Sequence, residues 1–338
     1  MRPFVFTPAD GADAAVRLAA LVPSKGGVPP TEASAQYLAG GTTLLDLMKL
    51  DVMRPQTVID LGGLRRENAR IVASADGLSL GAMVSMAEAA EHPAVLRDYP
   101  VIAETLKLAA SDQLRNMASL GGNLLQRTRC AYFRDTRWDA CNKRNPGSGC
   151  AALDGVNRQH AVLGASESCI ATYPGDFAQA LIALGARVET NSRRIDCAEL
   201  HRRPGTTPNV ETTLQPGELI TAIVVPAGPW TRRSRYLKIR DRQSYQFALV
   251  SAAVALDMDG NSVREARIAL GGVATVPWRS REAEAALRGK PLDETAAIAA
   301  ADAAFAGAVP RKHNAYKVAL GKSTLVRALL ETRQMRVA

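Results

Sequence analysis

The sequence predicts an α+β fold, and three observations carry that expectation. Apolar residues recur at helical spacing in some segments and as short β-type runs in others. The final third reads as a meander of strands followed by helices, so the two element types are segregated along the chain. Neither of two glycine-rich turns fits the Gly-x-Gly-x-x-Gly fingerprint, which argues against a doubly wound dinucleotide domain.

Taken in order, residues 10–21 have helical apolar spacing and residues 26–30 read as a loop. Residues 37–39 form a short strand that runs into Gly40-Gly41. Residues 42–50 follow as a helix whose buried face is Leu44, Leu45, Leu47 and Met48, and residues 58–61 are the next strand. Residues 71–73 and 78–82 read as a hairpin around Asp76-Gly77. Helices are expected at 84–91 and 100–110, and a second glycine turn at 119–123. Strands are expected at 160–164, 169–172 and 187–189, with a helix near 174–184 between the last two. A polar loop at 206–214 precedes a strand at 219–225. Residues 234–239, 247–258 and 263–272 form the meander, with Asp259-Gly260 as a turn, and helices follow at 279–288, 294–307 and 314–332. The expected division is a domain over residues 1–226, itself made of 1–62 and 63–226 with an insertion at 126–169, and a second domain over 227–338.

Composition excludes little and constrains much. The chain has 338 residues, 47% hydrophobic and 22% charged, ordinary values for a soluble globular protein of two or three domains. Net charge is +9, but the Lys and Arg residues are dispersed and no run of five or six like charges forms a tail. Local bunches therefore read as solvated faces, and no recognition motif supports nucleic-acid binding. No stretch of 18 apolar residues marks a membrane span. The first residues lack a charged segment followed by an apolar one, so no secretory signal is read there.

Leu38-Ala39-Gly40-Gly41-Thr42-Thr43-Leu44 reads as strand, two glycines, then a helix start. Such a turn leaves backbone N–H groups free to meet a phosphate, and the threonine hydroxyls can cap the helix or reach phosphate oxygens. A tight strand-to-helix turn needs the same residues without any ligand. Ser119-Leu120-Gly121-Gly122-Asn123 is a second turn of the same kind, and together the two could clasp one pyrophosphate.

Four of the five cysteines, Cys130, Cys141, Cys150 and Cys169, lie in a stretch rich in Arg, Asn, Pro and Gly that cannot bury much apolar surface. Disulfides suit small secreted domains. Zinc sites usually pair ligands two to four residues apart, whereas these gaps are ten, eight and eighteen residues. An iron–sulfur cluster tolerates varied spacings. From 126 to 158 seven cations face Asp135, Asp139 and Asp154, an environment suited to a buried anion. Cluster, zinc and plain buried thiols all stay open on chemistry alone. Cys197 stands apart as an ordinary thiol, and the histidines (His92, His160, His201, His313) show no metal or triad spacing.

These pieces together resemble the flavin-binding subunit of the xanthine dehydrogenase family of molybdenum hydroxylases, over nearly the whole chain. YLAGGTTLL from Tyr37 and SLGGNLL from Ser119 resemble its two flavin loops. Pro174-Gly175-Asp176-Phe177, Tyr236-Leu237-Lys238-Ile239-Arg240 and Leu270-Gly271-Gly272-Val273 resemble further segments, although Gly175 stands where Ser is common. The insertion is similar to that of periplasmic molybdenum aldehyde oxidoreductases, whose flavin subunit carries an extra [4Fe-4S] cluster. The resemblance implies a two-part FAD-binding domain of the PCMH/vanillyl-alcohol-oxidase type, then a CO dehydrogenase flavoprotein C-terminal-like domain. It implies FAD with its pyrophosphate against Gly40–Thr43 and Gly122–Asn123, Asp176 on ribityl or ribose hydroxyls, and Lys238 near the isoalloxazine. It also implies Cys130, Cys141, Cys150 and Cys169 as cluster ligands.

Function follows by implication. The chain would be an electron-transfer subunit with no catalytic residue for the aldehyde. It would work with a small [2Fe-2S] subunit, a large molybdenum-cofactor subunit and an external electron acceptor. Export to the periplasm would depend on a signal-bearing partner; otherwise the complex is cytoplasmic. The alternative is a stand-alone flavin oxidoreductase with a structural zinc in the cysteine loop.

Overall fold

The computed structural model describes residues 1–23 and 28–337. Three sheets are present among them. The first is parallel, with strands β1 (Val5–Pro8), β2 (Ala35–Leu38) and β3 (Thr57–Asp60) in the order β1-β3-β2. Parallel neighbours require crossovers, and the helices Ala12–Leu21 and Leu44–Lys49 lie within them. The edge strand β1 was not anticipated: Val5 and Phe6 are exposed, so no apolar alternation marks it. Part of the loop expected at 26–30 lies outside the described residues.

The second sheet is antiparallel: β4 (Ile71–Ser74), β5 (Gly77–Gly81), β6 (Arg187–Thr190), β7 (Arg194–Asp196) and β8 (Ile220–Pro226), in the order β4-β5-β8-β6-β7. The third holds β9 (Ser234–Ile239), β10 (Val250–Asp259), β11 (Ser262–Gly271) and the short β12 (Trp278–Arg279), antiparallel in the order β12-β11-β10-β9. Helices Arg281–Leu287, Glu294–Phe305 and Tyr316–Arg333 follow.

One helix joins the two antiparallel sheets. Phe177–Leu184 is buried at every position, as expected of a helix apolar all round. Gly185 ends it in the left-handed region, at φ 73°. It packs with Leu80, Val188 and Ile223 of the second sheet and with Ala253, Ala255 and Ala269 of the third. Strand β10 shows why the sheets can share it. Val250, Ala252, Val254 and Leu256 point into the core of the C-terminal helices, while the intervening alanines let the central helix approach.

Two expectations are corrected. Residues 160–164 and 169–172 form no strands, only isolated pairings of Leu163 with Ala274 and Ser166 with Cys169. Their polar backbone groups go elsewhere: Ala161 N–H to Ile170 O, Val162 N–H to Val273 O, and Ala171 N–H to Cys169 Sγ. The second glycine turn is a one-turn helix, Leu120–Leu124, because Ser119 Oγ caps it by accepting the Gly122 N–H at 3.2 Å.

Candidate cofactor site and cysteine centre

The two glycine turns face one another. A Cβ on Gly40 would stand 1.7 Å from Met117 O, and one on Gly122 would meet Ser119 Oγ at 2.9 Å and Ala39 Cβ at 4.0 Å. Gly40 is thus required by the approach of its neighbour, and Gly41 by its φ of 73°. Leu38 and Leu44 turn away and pack with Leu47, Phe133 and Cys141; Ala39 packs on the core around Ile59. The Ser119 hydroxyl is used as a cap, whereas Thr43 makes no such bond to its helix.

Thr42, Thr43, Gly122, Asn123, Asp176 and Lys238 line one cavity of about 300 Å³, with Arg129 and Phe247. It therefore draws on all three parts of the chain. Asn123 Oδ1 and Arg129 Nε are buried beside it without hydrogen-bond partners, the kind of orphaned groups that a polar ligand satisfies. A second cavity of about 350 Å³ shares Arg129, Pro174, Gln246 and Phe247 with it and reaches Cys130 and His160. An elongated cofactor with an anionic middle and a planar end fits this trough, and FAD is such a molecule.

Asp176 and Lys238 hold each other. Lys238 Nζ donates to Asp176 Oδ2 at 2.7 Å and to Leu108 O at 3.0 Å, and the Tyr236 hydroxyl donates to Asp176 Oδ1 at 2.5 Å. The side chains of Lys238 and Asp176 are 1% and 4% exposed. Asp176 makes no cap bond to its own helix. Burial first, then the Asp176 charge, pushes the Tyr236 hydroxyl pKa well above its ordinary value. The pair closes one wall of the cavity with a fixed charge pattern.

The four cysteines are brought together. Cys141 and Cys150 pair across an isolated bridge, Cys130 lies near enough to both to feel their charges, and Cys150 and Cys169 lie near enough to shift each other's acidity. The Cys169 neighbour lowers the Cys150 pKa, whereas Cys150 and then burial push the Cys169 thiol well above its ordinary value. Burial pushes the Cys130 thiol up to about 12, partly offset by the Phe133 and Tyr132 amides. The Ala171 N–H donates to Cys169 Sγ at 3.5 Å, and a donor aimed at sulfur suits a thiolate that carries negative charge. Among the described residues no three His, Cys, Asp or Glu side chains stand close enough to grip a single metal ion. Cys197 is buried elsewhere, and burial pushes it up to about 12.

The cations of the insertion do different work from that expected. Arg129 and Arg134 donate to Asp46 on the Leu44–Lys49 helix, each at 2.9 Å. Arg127 and Lys143 pair with Glu211 at 2.5 and 2.9 Å. Arg158 pairs with Asp241 at 2.7 Å. Arg144, 6% exposed, donates to the carbonyls of Tyr132, Phe133 and Trp138. They latch the insertion to its surroundings, and Lys143 offsets only part of the rise that Cys150 and burial impose on Cys169. The residue that spacing missed is His160, whose Nε2 lies 3.2 Å from Cys130 Sγ; thirty positions separate them, so no local motif marks the pair.

Residues 5–228 match the family model described as the FAD binding domain in molybdopterin dehydrogenase. Residues 235–332 match the CO dehydrogenase flavoprotein C-terminal domain. The chain is 48% identical to the aldehyde oxidoreductase FAD-binding subunit PaoB of Escherichia coli, over 88% of this chain and 92% of that protein. It is 28% identical to the carbon monoxide dehydrogenase medium chain of Hydrogenophaga pseudoflava, covering 87% and 88%. A solved structure of carbon monoxide dehydrogenase from that organism superposes with a TM-score of 0.75 at 26% identity, over 100% of this chain and 99% of that one. The chain belongs to the FAD-binding medium subunits of the molybdenum hydroxylase family.

Proposed function

We propose that this chain is the electron-transfer flavin subunit of a molybdenum-dependent aldehyde oxidoreductase. The observation that carries the choice of substrate class is the 48% identity, across 88% of the chain, to a protein named as an aldehyde oxidoreductase subunit. When bound, FAD would accept electrons released by aldehyde oxidation on a partner subunit and pass them to an external acceptor. The chain's own residues would hold and orient it: Thr42, Thr43 and Asn123 line the cavity with groups able to meet its phosphates, while Lys238, fixed by Asp176, sets positive charge at the wall. Partners on this reading are a small [2Fe-2S] subunit and a large molybdenum-cofactor subunit. The complex would be periplasmic, carried out folded by a signal-bearing partner.

We further propose that Cys130, Cys141, Cys150 and Cys169 hold a [4Fe-4S] cluster. Zinc would need all its sulfurs about 2.3 Å from one point; a cluster binds each thiolate at its own iron and so accepts a wider spread. The nearness of the four thiols and the Ala171 N–H aimed at Cys169 support this reading.

Anaerobic mixing of aldehyde with the assembled complex tests the main reading. Flavin absorbance is expected to bleach in the complex and to stay unchanged in this chain alone. Bleaching of the isolated chain by aldehyde would contradict it.

A further inference from the structure

No part of the site described so far gives His160 a task, yet the fold goes to some length to place it. The residue is 6% exposed. Its backbone N–H donates to Asn157 O at 3.0 Å, and Asn314 Nδ2 donates to the carbonyls of His160 at 3.3 Å and Ala161 at 3.1 Å. Asn157, itself fully buried, is pinned in turn. It donates to Ala152 O and Leu153 O, each at 3.2 Å, and accepts the His313 N–H at 2.9 Å. Two buried asparagines thus fix the backbone that carries the ring.

The ring arrives with Nε2 3.2 Å from Cys130 Sγ and with Nδ1 buried and unpartnered. Which nitrogen bears the proton follows from the chemistry of its neighbour. A metal-bound thiolate has lone pairs and no proton, so Nε2 is the donor. The neutral Nε2–H tautomer also leaves no buried N–H unpaired at Nδ1. We propose that His160 is a positioning residue that donates its Nε2–H to the Cys130 thiolate and raises the reduction potential of the iron–sulfur cluster; this inference rests on the cluster reading above. Reduction adds negative charge that spreads onto the thiolates, and a donor to sulfur stabilises the reduced form more than the oxidised one. Of the four cysteines Cys130 alone borders the cavity that runs to Phe247 and the flavin site. His160 therefore acts on the thiolate that faces the flavin.

The test uses the assembled complex, with iron content, an EPR-monitored redox titration and FAD content read together. His160→Leu is expected to keep its iron and shift the cluster's reduction equilibrium about tenfold toward the oxidised form, a midpoint about 59 mV lower for one electron. His160→Gln, whose amide N–H reaches a similar point, is expected to restore most of the potential. Equal potentials in wild type and His160→Leu, both with full iron, would overturn the proposal. A second readout needs no variant: with ¹⁵N-histidine incorporated, the reduced wild-type cluster is expected to show one weak ¹⁵N hyperfine coupling. Its absence from a cluster-bearing protein would overturn the role of His160 alone, whereas wild type without iron would overturn the cluster reading itself.

Discussion

Asp176 and Lys238 were expected to face the cofactor separately, one on its hydroxyls and one on its ring system. They lie at the cavity but are spent first on each other, at 2.7 Å. Lys238→Met should leave a buried carboxylate whose remaining partner is Tyr236, a loss of about 3–5 kcal/mol, measurable as a lower urea midpoint. The double variant Asp176→Asn/Lys238→Met should recover part of that loss, since the unpaired charge is then gone. The glycines give a second residue-scale contrast. Gly40→Ala places a Cβ against Met117 O and should push the two turns apart, lowering both FAD content and melting temperature. Gly11→Ala, with nothing within 4 Å, should leave FAD content unchanged and lower the melting temperature only slightly, because Gly11 caps a helix start. The two glycine turns were legible in the sequence because strand, Gly-Gly and helix start are local signals. That they press on each other was not, since nothing at position 40 announces position 117.

At the scale of elements, the cysteine insertion is held by ion pairs to its neighbours. Glu211, in the polar loop after β7, is the anchor for Arg127 and Lys143. Burial alone would raise its carboxyl, but the two cations outweigh that and hold it at about 2, against an ordinary 4.5. A depressed carboxylate contributes stability that is complete above about pH 4.5 and is lost as pH falls toward 2. The contribution is at most about 3 kcal/mol, less for the 24% of the side chain that stays exposed. Wild type should therefore exceed Glu211→Gln in stability by a constant amount above about pH 4.5, and the two should converge as pH falls to about 2. The meander β9-β10-β11 and the C-terminal helices were readable from alternation and period. Residues 160–164 and 169–172 read as strands because their apolar runs reflect burial beside Val273 and Ala274, not a ladder. The short strands β1 and β7 and the Asp112–Met117 helix carry too little apolar pattern to stand out.

For the whole molecule, the central Phe177–Leu184 helix ties the flavin-binding part to the C-terminal sheet, and the cavity opens where these meet the first glycine turn. Asp176 and Lys238 lie on opposite sides of that junction, one at the helix start and one on β9. Ala253→Leu would overfill the contact between β10 and the helix, costing about 1–3 kcal/mol. It should also weaken FAD retention, because the two halves of the charged pair would move apart; flavin release during gel filtration reads this directly. Among the described residues no helix is long and apolar enough to cross a membrane. On the proposed reading, flavin and iron are lodged together in this one polypeptide. Combined FAD, iron and zinc analysis of the purified chain, with its visible spectrum, tests that claim most directly. About one FAD and four irons per chain, with broad absorbance beneath the flavin bands, is the expected result; a flavin spectrum with zinc in place of iron, or a colourless protein, would contradict it.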